Sequence, residues 1–351
     1  MQKSPLIALV FTLASLHLFA QKDKATLTIK PLPDSAFIYS FDDDIEASLT
    51  YYTHNMQYSI TDKYNTRFIY RPDEIYETDI GLSYSFISVS YTFSPKFANI
   101  NNNEALKGTT IRDEFDIGIS LPKVDISFDH IDVKGFYLYN TTDFDASWRP
   151  GKPYILFPGL HIKQTGGNIT YNLNKHFSVQ GLYGGSEQQL KTAFTFLPAL
   201  YVYRFNIHDE DTLAKKGEDE NTKNWDLNMC LPVAASFVFA KNWYCAINAG
   251  PCIGLNMLSS TVIDTQLKYV TQKQTVISTG YTCRLSLGWG NRKFFAGIDG
   301  SMRGYSHSAG DDVMGKRFYK ACIYAGFRFK APGFVKHGVN RIKKLLPVDL
   351  Q

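Results

Sequence analysis

Strict alternation of apolar and polar residues constrains this chain more than any other feature of its sequence. In residues 77–86, Ile80, Leu82 and Tyr84 occupy every second position, and the residues between them are small or polar. A period of two predicts a β-strand with one apolar face. Similar segments recur over residues 46–329, and many reach about ten residues, the length that a tilted membrane-spanning strand requires.

The alternating segments pair into predicted antiparallel hairpins. Near His130 the alternation falls out of step, which predicts a β-bulge at that position. The predicted hairpins cover residues 77–94, 112–139, 168–183, 229–257 and 274–304, with further strands at 46–60 and 316–329.

The number of strands depends on residues 186–206. An odd number of segments is recognisable, whereas a bacterial membrane barrel has an even number of strands. If Pro198 marks a turn, Thr192–Leu197 and Ala199–Asn206 are two short strands and the barrel has 14 strands; if one weak segment is not a strand, it has 12.

The connections between these segments are sorted by length. Short periplasmic turns and longer outside loops are typical of outer-membrane barrels, whereas a soluble β-sandwich shares the alternation without this sorting. We therefore expect an all-β, antiparallel up-and-down transmembrane barrel. Short turns lie near residues 86, 122, 174, 241 and 290, and long polar connections span roughly 61–76, 95–110, 140–158, 207–226, 258–273 and 305–315.

The N-terminus predicts export. Lys3 precedes the apolar run Leu6–Phe19, and Ala20 followed by Gln21 is a plausible cleavage junction. The C-terminal tail mixes basic and apolar residues, which favours either an amphipathic helix on the inner leaflet or a frayed terminus. The predicted organisation is a signal peptide (1–20), a polar lead-in (21–45), a β-barrel (46–330) and a basic tail (331–351).

The composition of the chain limits the kinds of partner that we expect for it. After the N-terminal run no second stretch of 18 apolar residues occurs, so an exported chain that enters a membrane must do so as a closed barrel. The formal charge of +4 is small and dispersed, which argues against nucleic acid. We expect outer-membrane lipid as the surroundings and the barrel-assembly machinery as a partner during insertion; the sequence leaves the oligomeric state open.

Several short strings resemble a known family. They are Ile80–Tyr84 with Val89–Phe93, Lys134–Leu138 and Phe237–Trp243, and the likeness extends over about residues 45–330. The chain resembles exported proteins of Gram-negative bacteria catalogued as domain of unknown function 4421. Members are similar to outer-membrane barrels and have no assigned activity, so the resemblance implies architecture and location and transfers no functional residue.

Charged residues on the polar face are the best site candidates. We expect them to form an ion-pair network in a crowded lumen; the alternatives are a constriction that selects small solutes and a calcium site at Glu114, Asp116 and Asp129, which lacks an EF-hand spacing. Arg284 and Asp299 lie nearly opposite each other and could pair. The candidates are Glu114, Asp116, Asp125, Asp129, Lys134, Arg284, Asp299, Arg303, Lys320 and Arg328.

Cys230 falls directly opposite Cys252 when the hairpin turns at residues 240–242. Both face the lumen, and an exported protein can keep a disulfide there. The alternative is two small apolar side chains in a tight interior.

Signals for catalysis are weak. Ser306-His307-Ser308 superficially resembles a hydrolase arrangement, but no Gly-x-Ser-x-Gly elbow accompanies it. We expect no enzyme activity, cofactor or metal. The predicted function is a structural or small-solute channel barrel with a largely plugged lumen; the alternatives are a soluble secreted or periplasmic β protein that binds a ligand in its core and an outer-membrane lipid-modifying enzyme.

Overall fold

The computed structural model describes most of the chain. The predicted signal peptide and most of the predicted lead-in lie outside the described part. The described residues belong to two units, taken separately: a large one that ends at Ala331, and the C-terminal residues from Pro332. The described ranges are 36–73, 76–93, 103–121, 123–183, 185–209, 221–240, 242–263 and 269–345.

The large unit is built almost entirely from β-strands. Besides them it contains the short helix α1 (Glu104–Lys107) and 3₁₀ turns at Thr141–Asp143 and Gln180–Tyr183. The strands are β1 (Ile38–Ser40), β2 (Asp44–Thr61), β3 (Arg67–Arg71), β4 (Tyr76–Tyr84), β5 (Ile87–Phe93), β6 (Ile111–Ser120), β7 (Val124–Leu138), β8 (Leu156–Tyr171), β9 (Glu187–Gln189), β10 (Ala193–Phe196), β11 (Ala199–Asp209), β12 (Asn221–Cys230), β13 (Val233–Ala240), β14 (Trp243–Ile263), β15 (Tyr269–Gly290), β16 (Phe294–Ala309) and β17 (Asp312–Lys330).

Twelve antiparallel strand courses close into a ring. β17 pairs with β2 from Val313 opposite Thr61 to Lys330 opposite Asp44, which joins the last course to the first. β10 with β11 forms one course, and β12 with β13 forms another. The predicted up-and-down barrel is therefore confirmed, with 12 strands instead of 14. The ring order is β2, β4, β5, β6, β7, β8, β11, β12, β14, β15, β16 and β17.

Three prolines explain the two interrupted courses. The Leu197 N–H donates to the carbonyl of Pro232 (2.9 Å), and the Leu231 N–H donates to the carbonyl of Pro251 (3.1 Å). Pro198 breaks the course of β10 and β11 without turning the chain. Because proline has no N–H to donate, each of the three prolines removes one bond from the ladder at the same level of three neighbouring courses, although β14 continues through Pro251. We call Pro198, Pro232 and Pro251 the proline row.

The outward face of the ring is apolar and exposed. Leu82, Ile253 and Ile277 are 56–65% exposed. Apolar surface on this scale is rare on a soluble monomer and suits a wall that meets lipid. Short turns connect β4 to β5, β6 to β7, β13 to β14 and β15 to β16; we call this end of the barrel the turn end, and the other the loop end.

Two expected connections are wrong. Residues 168–183 do not form a hairpin: after β8 the backbone N–H of Asn174 bonds the Asn172 side chain, and the chain turns into the barrel, where Phe177 and Leu182 are buried. Their spacing imitates a strand because they fill the lumen. The return strand is instead β10 with β11. The predicted long connection at 305–315 is a tight turn between β16 and β17.

The expected bulge at His130 is also misplaced. β7 keeps its alternation through Asp129, Ile131 and Val133, and the register shifts between Lys134 and Phe136, where Gly135 has a φ of 92°. A positive φ favours glycine. Ile131 and Val133 are apolar and nevertheless point inward, which is why the alternation of apolar and polar residues falls out of step near His130.

β3 narrows the loop end. It pairs with β2 at Tyr58–Thr61 and with β7 at Tyr137 and Leu138. At that level β3 therefore stands where the shorter β4, β5 and β6 no longer reach, and it joins β2 to β7 directly.

The C-terminal unit contains helix α2 (Gly333–Leu345). No described helix is long and apolar enough to cross a membrane.

Candidate functional site: the barrel lumen

An apolar cluster crosses the loop-end half of the lumen. Its members come from β2 and β17 on one wall and from β7, β8 and β11 on the other, so side chains from opposite walls meet. Val133 and Met56 are fully buried within it. We call this cluster the lumen seal: Met56, Tyr58, Ile131, Val133, Phe136, Ile162, Tyr203, Phe205 and Phe318.

Two cations reach across the lumen beside the seal. Lys316 Nζ on β17 lies 2.9 Å from Asp226 Oδ2 on β12 and 3.8 Å from the centre of the Phe205 ring. The Arg303 guanidinium on β16 lies 5.1 Å from the rings of Tyr203 and Phe318. Aromatic faces attract cations, and a buried carboxylate compensates the charge of the lysine.

The turn end is closed by chain from outside the ring. β1 pairs with β9, and Phe177 and Leu182 pack against inward side chains of β10, β13 and β14. We call the described residues of 36–43, 172–183 and 185–192 the cap. Arg328 fastens the cap to the ring: its guanidinium donates to the carbonyls of Gly185 (3.1 Å) and Asn291 (2.9 Å) and is ion-paired with Glu46.

The cap contains one strongly perturbed carboxyl group. Burial raises the pKa of Glu187 to about 7, although the Ser178 hydroxyl donates to Glu187 Oε2 at 2.5 Å and opposes the shift. Asp125 and Asp42 raise the pKa further through charge repulsion. The cap therefore has an acid that titrates near neutrality.

A charged cavity of about 340 Å³ lies between the seal and the cap. A second cavity of about 350 Å³ shares part of its lining, including Ser83, Gly185 and Arg284. Carboxylates outnumber cations in the first cavity, so it favours positively charged or strongly polar contents. Its charged lining residues are Glu46, Asp79, Glu114, Asp116, Asp299, Arg284 and Lys320.

Where the seal meets this cavity, buried ionisable groups converge. Arg112 Nη1 lies 3.5 Å from Glu77 Oε2, and His54 Nδ1 lies 3.3 Å from Glu114 Oε2. One ligand atom from each of His54, Glu77 and Glu114 lies within 4.8 Å of the other two. An imidazole nitrogen and carboxylate oxygens are ligands that can hold a cation. Arg112 already places a positive charge against this group.

Most of the predicted lumen charges face inward, but they do not form one network. Asp129 accepts hydrogen bonds from the Tyr203 hydroxyl (2.6 Å) and from Gln164 Nε2 (3.1 Å). Asp116 lies directly opposite Asp129 on the neighbouring strand. Two inward carboxylates at such close positions repel each other unless a proton or a cation lies nearby.

Other predicted residues are distributed along the lumen. Arg284 Nε lies 2.8 Å from Asp299 Oδ2, and the Ser286 hydroxyl donates to the same oxygen. Asp125 lines the second cavity, and Lys320 Nζ lies 4.1 Å from the centre of the Tyr52 ring. The prediction that Lys134 faces the lumen is wrong: because the bulge comes after it, Lys134 shares the outer face of β7 with Asp132.

Sequence reasoning missed several inward ionisable residues. Glu77 and Arg112 stand two residues from Asp79 and Glu114, so extending the alternation by one position would have found them. Asp226 and Lys316 lie near predicted loops, where the strands run further than expected. Their pairing across the lumen has no signal in a single sequence.

The cysteines and the serine–histidine string have different outcomes. Cys230 lies opposite Cys252, and the structure joins them in a disulfide; its formation in the exported protein stays a prediction. Ser306-His307-Ser308 is part of β16, with His307 buried inside and the serines on the exposed side. Neighbouring strand residues point to opposite faces, so His307 is not positioned to activate Ser306 or Ser308.

The closed ring and its apolar outer face define an outer-membrane β-barrel. A family model described as "Domain of unknown function (DUF4421)" matches residues 32–329. The chain belongs to this family. No curated protein matches the sequence.

Solved structures similar to this chain are outer-membrane barrels. The outer membrane protease OmpT from Escherichia coli has a TM-score of 0.40 at 8% identity, with coverage of 87% of this chain and 100% of that chain. The Pseudomonas putida toluene transporter TodX has a TM-score of 0.30 at 8% identity and coverage of 88% and 92%. A monoaromatic hydrocarbon channel, CymD, has a TM-score of 0.29 at 10% identity and coverage of 89% and 92%.

These matches correct one expectation. The sequence predicts no enzyme activity, but the barrels that the chain is similar to include a protease as well as channels. The likeness is too low to assign either activity, and a shared fold does not decide function. The architecture therefore leaves the enzymatic status of this chain open.

Proposed function

We propose that this protein is a closed outer-membrane barrel that holds a small cationic or polar solute in its lumen and does not pass solutes freely at rest. One observation carries the proposal: the lumen seal and the cap lie on either side of a charged cavity. Tight apolar packing leaves little room for water, so ions would meet a barrier at both ends of this cavity.

The charge of the cavity supports a cation as its content. Arg284 and Arg328 are each held by a carboxylate, Asp299 and Glu46 respectively. Asp79 and Asp116 line the same cavity in addition to these pairs, against one further cation of the described lining, Lys320. A low-dielectric wall strengthens their attraction for positive charge.

Planar-bilayer recording tests the closed state. The wild-type barrel is expected to show no conductance steps. A Phe136→Ala/Tyr203→Ala variant removes two rings of the seal and should conduct weakly, and adding Phe177→Ala and Leu182→Ala in the cap should increase the conductance. Phe128→Ala/Tyr171→Ala is the matched control, because both of these rings are on the lipid-facing side and are exposed.

The same opened variant tests the preference for cations. In a tenfold KCl gradient its reversal potential should show cation selectivity, and Asp79→Asn/Asp116→Asn should reduce that selectivity. Steady conductance by the wild type would contradict the closed state. Equal permeabilities to potassium and chloride in the opened variant would contradict the proposal that the lumen holds a cation, but not the proposal that the barrel is closed.

A further inference from the structure

A groove on the outer surface of the ring combines an apolar floor with a cationic end. It has a volume of about 670 Å³ and lies over β7, β8, β11 and β12. The groove passes over Gly167, an outward position of β8 without a side chain. A Cβ there would collide with the Ser127 carbonyl oxygen, so the depression is built into the backbone. Its apolar lining residues are Ile126, Phe128, Ile169, Leu200, Val202 and Trp225.

The strand register orders the outward side chains from apolar to charged. Outward residues that lie opposite each other on β7, β8 and β11 form rows across the wall, and each row is two residues closer to the loop end than the one before it. This gradient is the one expected where a barrel wall passes from acyl chains into the headgroup region. The successive rows are Phe128 with Gly167 and Val202, then His130 with Thr165 and Arg204, then Asp132 with Lys163 and Asn206.

Two cations line the charged end of the groove. The Lys163 side chain is 45% exposed, and its Nζ lies 3.0 Å from Asp132 Oδ2. Arg204 is exposed, with its guanidinium 5.9 Å from the centre of the Trp225 ring. Lys223 is exposed one strand further along.

Among the residues that the structure describes, the acids and bases near this end of the groove leave it positive. The described carboxylates closest to Lys163 in the strand register are Asp132 and Asp113, and both lie on the side of the groove that faces β6. Lys134 stands two residues beyond Asp132 on the same face of β7. The opposite side of the groove, formed by β8, β11 and β12, therefore presents Lys163, Arg204 and Lys223 beside apolar surface.

We propose that this groove binds a phosphorylated, multi-acyl lipid of the outer leaflet. Lys163 and Arg204 would donate charge-assisted hydrogen bonds to a lipid phosphate, and one acyl chain would lie over Gly167 against Phe128 and Val202. The site depends on insertion with the loop end outside and is independent of what the lumen contains.

Lipid-dependent thermal stabilisation tests the site. The full-length barrel in neutral detergent is titrated with bisphosphorylated lipid A, with the same lipid after removal of both phosphates, and with phosphatidylcholine, and its unfolding temperature is followed by heat-modifiable gel mobility. A ligand that binds only the folded state raises this temperature in a saturable way. Saturable stabilisation is expected from the phosphorylated lipid alone.

Matched variants locate the binding. Lys163→Glu/Arg204→Glu should weaken the apparent affinity roughly tenfold or more. Arg317→Glu, which changes an exposed cation on the distant β17, should leave it unchanged. Val202→Trp should also weaken binding, because it fills the groove and leaves every charge in place. If the double variant does not fold, Arg204→Gln and Val202→Trp provide the same comparison.

Two results would overturn the proposal. Equal stabilisation by the phosphate-free lipid or by phosphatidylcholine would mean that the groove holds ordinary boundary lipid. Equal affinities of the groove variants and Arg317→Glu would mean that the phosphorylated lipid binds elsewhere on the barrel.

Discussion

The two halves of the lumen are built from the same strands and have opposite interiors. On β7 the inward residues are Asp125 and Asp129 toward the turn end, but Ile131 and Val133 toward the loop end. The turn-end half therefore holds a charged cavity, whereas the loop-end half is packed like the core of a soluble protein. A period of two determines which residues share a face; it does not determine whether that face is polar.

The halves also carry their charges differently. In the loop-end half Lys316 and Asp226 are buried across the lumen from each other. In the turn-end half Arg328 lies between the rings of Phe41 and Phe295, at 3.8 and 4.5 Å from their centres, and fastens the cap. The ion pair between Lys316 and Asp226 therefore links opposite walls of the lumen, whereas Arg328 attaches the cap to the ring.

The largest effect is expected from breaking the crossing ion pair. Lys316→Met leaves the buried Asp226 carboxylate without its cation and should lower the free energy of unfolding by about 3–5 kcal/mol. Lys316→Met/Asp226→Leu removes both charges and should recover most of that loss. Urea unfolding in lipid vesicles measures both values.

An exposed ion pair provides the control. Lys330 Nζ lies 2.8 Å from Asp44 Oδ1, but the lysine side chain is largely exposed, so Lys330→Met should change stability little. If Lys316→Met and Lys316→Met/Asp226→Leu lose the same stability, the buried Asp226 carboxylate without a cation is not what destabilises the single variant.

A smaller and more local effect is expected at the turn end. Arg328→Gln leaves Glu46 buried and removes the bonds to Gly185 and Asn291, at a cost of about 2–4 kcal/mol. The loss should be concentrated in the cap, so amide hydrogen exchange should accelerate at β1 and β9 more than in the lumen seal. Uniform acceleration throughout the barrel would show that Arg328 supports the ring as a whole and not the cap.

The smallest effect is a pH dependence of the cap. The Glu187 pKa is raised from 4.5 to about 7, so the folded cap binds a proton that the unfolded chain releases between these values. Stability should therefore be greatest below about pH 4.5 and fall as the pH rises through 7, by at most about 3 kcal/mol.

Glu187→Gln should remove this slope and leave the cap better protected at pH 8 than in the wild type. Hydrogen exchange at β9, compared at pH 5 and pH 8 after correction for the intrinsic exchange rate, measures the difference. A wild-type cap that is equally protected at both pH values would show that Glu187 is already ionised near pH 5.

Much of the fold was predictable because lipid and water impose a simple rule on a barrel wall. Outward residues such as Leu82 and Ile277 must be apolar, so alternation identified the strands. The alternation failed where inward residues are also apolar, at Ile131 and Val133, and where buried residues of the cap imitate a strand, at Phe177 and Leu182. In both places packing inside the lumen replaced the expected polar face.

The site was less predictable than the fold. Inward charges such as Asp116 and Arg303 follow from strand parity, and the adjacency of Arg284 and Asp299 follows from one hairpin. The seal, the cap and the contact between Lys316 and Asp226 depend on the cross-section of the closed ring. Distances across a lumen depend on how far opposite walls approach, and no local pattern encodes them.

The proline row gives the barrel wall an uneven mechanical character. Along most of the ring continuous ladders of hydrogen bonds resist bending, but at Pro198, Pro232 and Pro251 successive bonds are absent at one level. Cys230 and Cys252 stand directly beside this level. We therefore expect the wall to bend more easily at this level than elsewhere in the ring, and the predicted disulfide between Cys230 and Cys252 would hold β12 and β14 together beside it.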